Sequence, residues 1–163
     1  MGRDKARVEV EGEPMALRVA RALREGGVEP VTLVGKDPQQ ASLGLPFLHE
    51  VEADHHPLHG LVSGLRHAAS SGHRCAFFSP CDLAWLSKES VARLLASGGP
   101  CCARAGDQQQ PLLALLSVEL ADELERAARA GLSVYAALAH LPRVEVEPDS
   151  LRNVNRPEDI PAS

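Results

Sequence analysis

Aromatic side chains are scarce in this 163-residue chain: three Phe, one Tyr and one Trp, 3% of the sequence. So few rings leave little for a base-stacking platform of the kind that binds single-stranded nucleic acid. Positive charge is short too, with 17 basic against 22 acidic residues and a formal net charge of −5. That balance argues against a broad nucleic-acid-binding surface. No apolar run approaches the ~18–20 residues that cross a bilayer. The opening Met1-Gly2-Arg3-Asp4-Lys5 has no hydrophobic region of the signal-peptide kind. Neither a membrane span nor Sec export is expected. The four cysteines, Cys75, Cys81, Cys101 and Cys102, are too few for a disulfide scaffold, and none stands in a C-x-x-C spacing that would hold zinc. Reduced thiols in a cytoplasmic protein are the expectation. Only Lys5, Lys36 and Lys88 are lysines, so a lysine inside a motif carries more information than usual.

What is present fits one globular domain over residues 1–163, with 44% hydrophobic and 24% charged residues. The apolar pattern alternates between helical and strand periods. Pro14 to Glu25 sets Ala16, Val19, Ala20 and Leu23 on one helical face, opened by Pro14 and closed by Gly26. Val28 to Val34 is short, β-branched and glycine-bounded, as a strand should be. Leu58, Leu61, Val62, Leu65 and Ala69 repeat the helical spacing, and Cys75 to Ser79 is a strand stopped by Pro80. Ser87 can cap a helix through Leu95. Strands at Pro100–Ala105 and Leu112–Leu116, a helix from Ser117 to Gly131, a shorter one over Ser133–Leu141 and a strand at Val144–Val146 complete the pattern. Strands alternating with helices predict an α/β domain of the Rossmann-like, doubly wound type with a mostly parallel sheet. In such folds ligands bind beyond the carboxyl ends of the strands. The loops of interest are therefore Gly35-Lys36, Val51 to Pro57, Pro80 to Trp85 and the tail after Val146.

Four polar clusters fall at or near these places. Ser79-Pro80-Cys81-Asp82 follows a strand, so Asp82 is either a Mg²⁺ ligand aimed into the crevice or the cap of a turn. Lys5 follows a glycine-bearing turn and suits a triphosphate, or belongs to an ordinary charged terminus. Asn153 and Asn155, two apart on an extended segment, point the same way, although Asn155 can equally cap the helix that Pro157-Glu158-Asp159 would open. Asp54-His55-His56 resembles the signature of the DHH phosphoesterases, which bind Mn²⁺. No Asp-x-Asp accompanies it, and a polar loop with solvent histidines is the plainer reading.

Taken in order and with their gaps, the clusters resemble the molybdenum cofactor guanylyltransferases, the MobA-like nucleotidyltransferases. Met1-Gly2-Arg3-Asp4-Lys5 fits the end of that family's opening signature, L-A-G-G-x-S-x-R-M-G-x-D-K. A strand, a turn at Gly12-Glu13-Pro14 and a helix follow it, over Val8 to Leu23. Pro57-Leu58-His59-Gly60-Leu61 resembles the family's P-L-x-G-[LIM] helix start, Pro80-Cys81-Asp82 its P-C-D, and Asn153 to Asp159 its N-V-N-T-P-E-[DE], with Arg156 in place of Thr.

The resemblance implies transfer of GMP from GTP to Mo-molybdopterin with release of pyrophosphate. It implies nucleotide binding by Lys5 and Asp82, with Mg²⁺ at Asp82. It also implies a nucleotide contact from an aspartate ahead of the P-L-x-G helix, for which Asp54 is the candidate and Glu52 the rival. Asn153 and Asn155 would face molybdopterin, and molybdoenzymes or other proteins of the cofactor pathway are candidate partners. The half-signature L-A-G-G-x-S-x-R is absent, and with it the first strand, which runs mid-sheet in this architecture. Either the sheet has a gap or the sequence is clipped at its start; clipping is the expectation. The rival readings are a cytidylyltransferase of the same pathway and a catalytically impaired remnant that acts as a binding partner.

Overall fold

Pro14 and the Gly26-Gly27 pair bracket the first helix. The structure, a computed structural model, describes residues 5–50, 56–154 and 159. After a 3₁₀ turn at Lys5–Arg7, two short antiparallel strands, β1 (Glu9–Val10) and β2 (Glu13–Pro14), lead into α1 (Met15–Glu25). Gly27 sits at φ 101°, its N–H donates to the Arg24 carbonyl, and the Val28 N–H reaches back to the Leu23 carbonyl. This is a Schellman cap. It takes Val28 into the end of the helix, so the strand expected from Val28 is shorter: β3 is Leu33–Gly35.

β4 (Phe47–His49) pairs with β3 in parallel. α2 (Pro57–Ser70) precedes β5 (Cys75–Phe78). α3 (Lys88–Leu95) is capped by the Ser87 hydroxyl, which accepts from the Ser90 N–H. β6 (Cys101–Ala105) and β7 (Gln108–Ser117) form a hairpin. α4 (Ala121–Arg129), α5 (Val134–Ala137) and β8 (Arg143–Glu145) follow. The helix expected over Ser133–Leu141 stops at Ala137, and the Arg143 guanidinium takes up the carbonyls of Leu138 and Leu141 beyond it.

The α/β class stands, with a mixed pairing in place of a mostly parallel one. The main sheet has the order β5-β7-β6-β8, and β7 runs antiparallel to both of its neighbours while β6 and β8 are parallel. The cause is local. Gly106, at φ 57°, and Asp107 make a tight two-residue turn, which reverses the chain between β6 and β7. The β6–β7 register shifts between Cys102 and Ala103, close to Pro111, which has no N–H to give to the ladder.

Alternation along β6 sends Cys101 and Ala103 to one face and Cys102 to the other. On the first face α1 and α3 bring Val19, Leu23, Val91 and Leu94; on the second α2, α4 and α5 bring Leu58, Leu65, Leu124 and Val134. The β3–β4 pair forms a separate sheet, and a cavity of about 410 Å³ lies between β3 and β5.

Candidate active site

Two charged side chains 77 positions apart meet at the carboxyl end of β5. The Lys5 ammonium donates to Asp82 Oδ2 at 3.3 Å. The Asp82 side chain is 17% exposed and that of Lys5 41%, so the pair lies in a recess that still opens to solvent. Asp82 stands in the turn after β5, on a short segment fixed by buried neighbours, Leu83, Ala84 and Leu86. Lys5 begins the turn whose buried Ala6 anchors it; the Val8 N–H donates to the Lys5 carbonyl, and the Met15 N–H to the Val8 carbonyl. Arg7 ties the same turn to the Gln39 carbonyl and the Ser42 hydroxyl beyond β3. Arg18 braces the other side, donating to the Ala84 carbonyl and to Glu11.

The tail reaches the same place. The Val154 N–H donates to the Asp82 carbonyl at 2.9 Å, and Val154 packs with Val10, Met15 and Ala84. Asn153 is therefore held exposed one residue from the Asp82 backbone. The Arg152 guanidinium lies over the Trp85 ring at 4.6 Å, a cation–π contact that fastens the tail to the Asp82 loop. Lys5, Asp82 and Asn153, candidates from three remote points of the sequence, are thus brought together. Asp54, Glu52 and Asn155 lie outside the described residues, as does His55. His56 is a helix cap, because its Nδ1 accepts from the Leu58 N–H at the start of α2.

A second charged pair has no counterpart among the sequence candidates. Lys36 and Glu50, at the carboxyl ends of β3 and β4, approach to 3.6 Å with Glu50 only 12% exposed. Lys36 stands in one of the loops of interest, but Glu50 follows a strand too short to show a pattern. Among the described residues no group of three or more His, Cys, Asp or Glu is placed to hold a metal ion. A Mg²⁺ bound between one carboxylate, waters and substrate phosphates needs no such cage, and the hard oxygens of Asp82 fit that donor set. The arrangement offers one cation for phosphate oxygens, one carboxylate for a divalent ion and a polar tail fastened beside that carboxylate.

The family profile of the MobA-like NTP transferase domain matches residues 1–144. The probable molybdenum cofactor guanylyltransferase of Opitutus terrae is 32% identical over 175 residues, covering 98% of this chain and 86% of that protein. The molybdenum cofactor guanylyltransferase of Burkholderia ambifaria is 34% identical over 163 residues, covering 90% and 78%. Among solved structures, molybdopterin-guanine dinucleotide biosynthesis protein A of Archaeoglobus fulgidus superposes with a TM-score of 0.73 at 23% identity, covering 97% of this chain and 87% of that one. A 4-diphosphocytidyl-2C-methyl-D-erythritol synthase gives 0.74 at 14% identity, covering 95% and 90%. At these identities the two structures establish a shared fold.

Proposed function

The chain belongs to the MobA-like NTP transferase family, and on that premise we propose that it transfers GMP from GTP to Mo-molybdopterin. The observation that carries this reading is the Lys5–Asp82 pair, set at the carboxyl end of β5 beside Asn153. The relatives that are more than 30% identical are named guanylyltransferases, whereas the cytidylyl-type structure is related through fold alone. GTP is therefore the nucleotide we assign.

A phosphate oxygen of molybdopterin attacks the α-phosphorus of GTP. The bond from that phosphorus to the bridging oxygen breaks, and pyrophosphate leaves with the electron pair. No covalent bond to the protein is required, so the work of the site is positioning and charge stabilisation. Lys5 gives up its contact with Asp82 and holds phosphate oxygens. At ~4 Å and an effective dielectric of ~20, such a contact is worth at most about 4 kcal/mol before desolvation. Asp82 would hold Mg²⁺, whose contribution is to offset the charge on the phosphates. Asp54 completes the nucleotide contacts, and Asn153 and Asn155 orient the molybdopterin. Free thiols suit a reducing compartment, and we place the reaction in the cytoplasm.

The test is pyrophosphate release from GTP, Mg²⁺ and Mo-molybdopterin. Asp82→Ala lowers kcat by about a hundredfold or more, the scale of losing a main electrostatic contact. Lys5→Ala raises the KM for GTP about tenfold or more and lowers kcat as well. His56→Ala, at a helix cap, stays within about threefold of wild type. Turnover by Asp82→Ala equal to wild type overturns the assignment, and faster turnover with CTP than with GTP overturns the choice of nucleotide.

A further inference from the structure

Ser87 and Ser90 open α3 with half of a reciprocal cap. The Ser87 hydroxyl accepts from the Ser90 N–H at 3.1 Å, as an N-cap serine does. A Glu or Gln in place of Ser90 would reach back to the Ser87 N–H, for which a serine is too short. Ser150, 63 positions on, provides that acceptor instead: the Ser87 N–H donates to its Oγ at 3.1 Å. The Ser90 hydroxyl is left to bind the tail. It lies 2.9 Å from Ser150 Oγ and accepts from the Glu147 N–H at 3.3 Å. The Ser87 hydroxyl donates to Glu147 Oε2 at 2.8 Å, and that of Ser150 to Ser87 Oγ at 3.2 Å. With the Ser90 proton directed at Ser150, each of the three hydroxyl protons has an acceptor.

Among the described residues, Ser90 and Ser150 are the polar ones that are fully buried. No water replaces a bond lost there, so a tail shifted by one residue would strand several polar groups at once. Packing of the adjacent Leu151 is non-directional and sets no such register. Two segments leave the network side by side. One runs back from Ser87 to Asp82, and the other runs from Ser150 through the extended Arg152 to Asn153 and Val154. They meet again where the Arg152 guanidinium covers Trp85 and where the Val154 N–H donates to the Asp82 carbonyl. A cation–π contact tolerates sliding, and a neighbouring N–H could serve that carbonyl equally well. The serine bonds are the ones that fix the register. A slip of one residue moves an extended chain by ~3.3 Å and puts the opposite face where Asn153 stands.

We propose that Ser90 and Ser150 are positioning residues, whose buried hydroxyls set the register of the tail against the Asp82 loop and so keep Asn153 beside it. The inference rests on the reading of Asp82 as a nucleotide contact and of Asn153 as a molybdopterin contact. Neither serine touches a substrate. The Asp82 loop is held at both ends, by β5 and by α3, whereas the tail follows only the short 3₁₀ turn Pro148–Leu151. Loss of a hydroxyl therefore loosens the tail first, and the substrate that meets Asn153 is affected before the one that meets Asp82.

Ser150→Ala in the full chain tests this. Without substrates, the Val154 amide exchanges about tenfold or more faster relative to that of Ala103 in the main sheet. The fluorescence of Trp85, the sole tryptophan, becomes more open to quenching by acrylamide. In pyrophosphate release the KM for Mo-molybdopterin rises about tenfold, while that for GTP stays within about twofold. Ser90→Ala, at the other end of the same bond, behaves alike and takes over if Ser150→Ala does not fold. Val91→Ala removes buried packing from the same helix and no hydroxyl; it lowers stability and moves neither KM. Adding Ser150→Ala to Asn153→Ala raises the KM no further, because the serine acts through the asparagine. Unchanged Val154 exchange and Trp85 quenching overturn the proposal, as does an equal rise of both KM values. A loosened tail with the molybdopterin KM unmoved in both Ser150→Ala and Asn153→Ala overturns the role given to Asn153, and the proposal with it. A wild-type chain without turnover overturns the transfer reading alone, since exchange and quenching still decide whether the serines set the tail.

Discussion

Burial acts on single groups here in ways that a titration can read. Cys102 lies on the α2–α4 face of β6 with no exposure, and that burial pushes its thiol up from an ordinary 9.0 to about 11, against a smaller opposing pull from Arg143. A thiol whose folded-state pKa is raised adds stability that is complete below pH 9. That stability is lost as the pH climbs through about 11, because the unfolded chain then ionises first. The amount is on the order of 2 kcal/mol. Cys102→Ala has no such group. The stability gap between wild type and variant, measured by urea denaturation, should hold constant up to pH 9 and narrow above it; a constant gap up to pH 11 would mean that the thiol titrates alike in both states. The candidate site was legible at this scale where chemistry and position coincided. Lys5 stood out because lysines are few, and Asp82 because it follows a strand. Glu50 had neither mark, being one acid among 22, and only the fold brings it to Lys36. His56 shows the reverse case, since a histidine beside another histidine suggests metal, yet one before Pro57 at a helix start serves as a cap.

Between elements, the end of α1 comes close against α3 in the first core. A Cβ built on Gly26 would lie 2.5 Å from both Cβ and Cγ1 of Val91, which is fully buried. Gly26 has φ −80°, which any residue adopts, so the need for glycine here is steric. Gly26→Ala should therefore destabilise the fold by about 1–3 kcal/mol through overpacking. Combining it with Val91→Ala should recover part of that loss, a coupling that a double-mutant cycle in urea measures; strictly additive effects would mean that the two helices do not touch there. Helix limits could be read beforehand because their signals are local: Pro14 and Gly26 around α1, Pro57 at the start of α2, Ser87 before α3. Short strands could not. Phe47-Leu48-His49 is too brief for a period to emerge, and the direction of β7 depends on a Gly106-Asp107 turn that a strand count passes over.

On the scale of the whole molecule, the two sheets differ in how they are held. β6 and β7 each pair with two neighbours, and their side chains feed both cores. Among the described residues β3 and β4 pair only with each other over three residues, half-buried, and reach the rest of the protein through α2, the packing of Leu33 on the first core and the Arg7 contacts to Gln39 and Ser42. Backbone hydrogen bonds of the first kind open only when the protein unfolds globally, whereas those of the second can open while the four-stranded sheet stays intact. Native-state hydrogen exchange should separate the two. The amides of Leu33 and Gly35 should exchange at least ~100-fold faster than those of Ala103 and Ala114, a gap of ~3 kcal/mol in opening free energy. Their rates should also depend far less on low concentrations of urea, since a local opening exposes little surface. Equal protection with equal urea dependence would mean that β3 and β4 unfold together with the main sheet, as one cooperative unit across the cavity. The candidate site straddles this boundary. Lys5 is tied through Arg7 to the segment after β3, while Asp82 hangs from β5, so opening of the β3–β4 unit would also part the ammonium from the carboxylate.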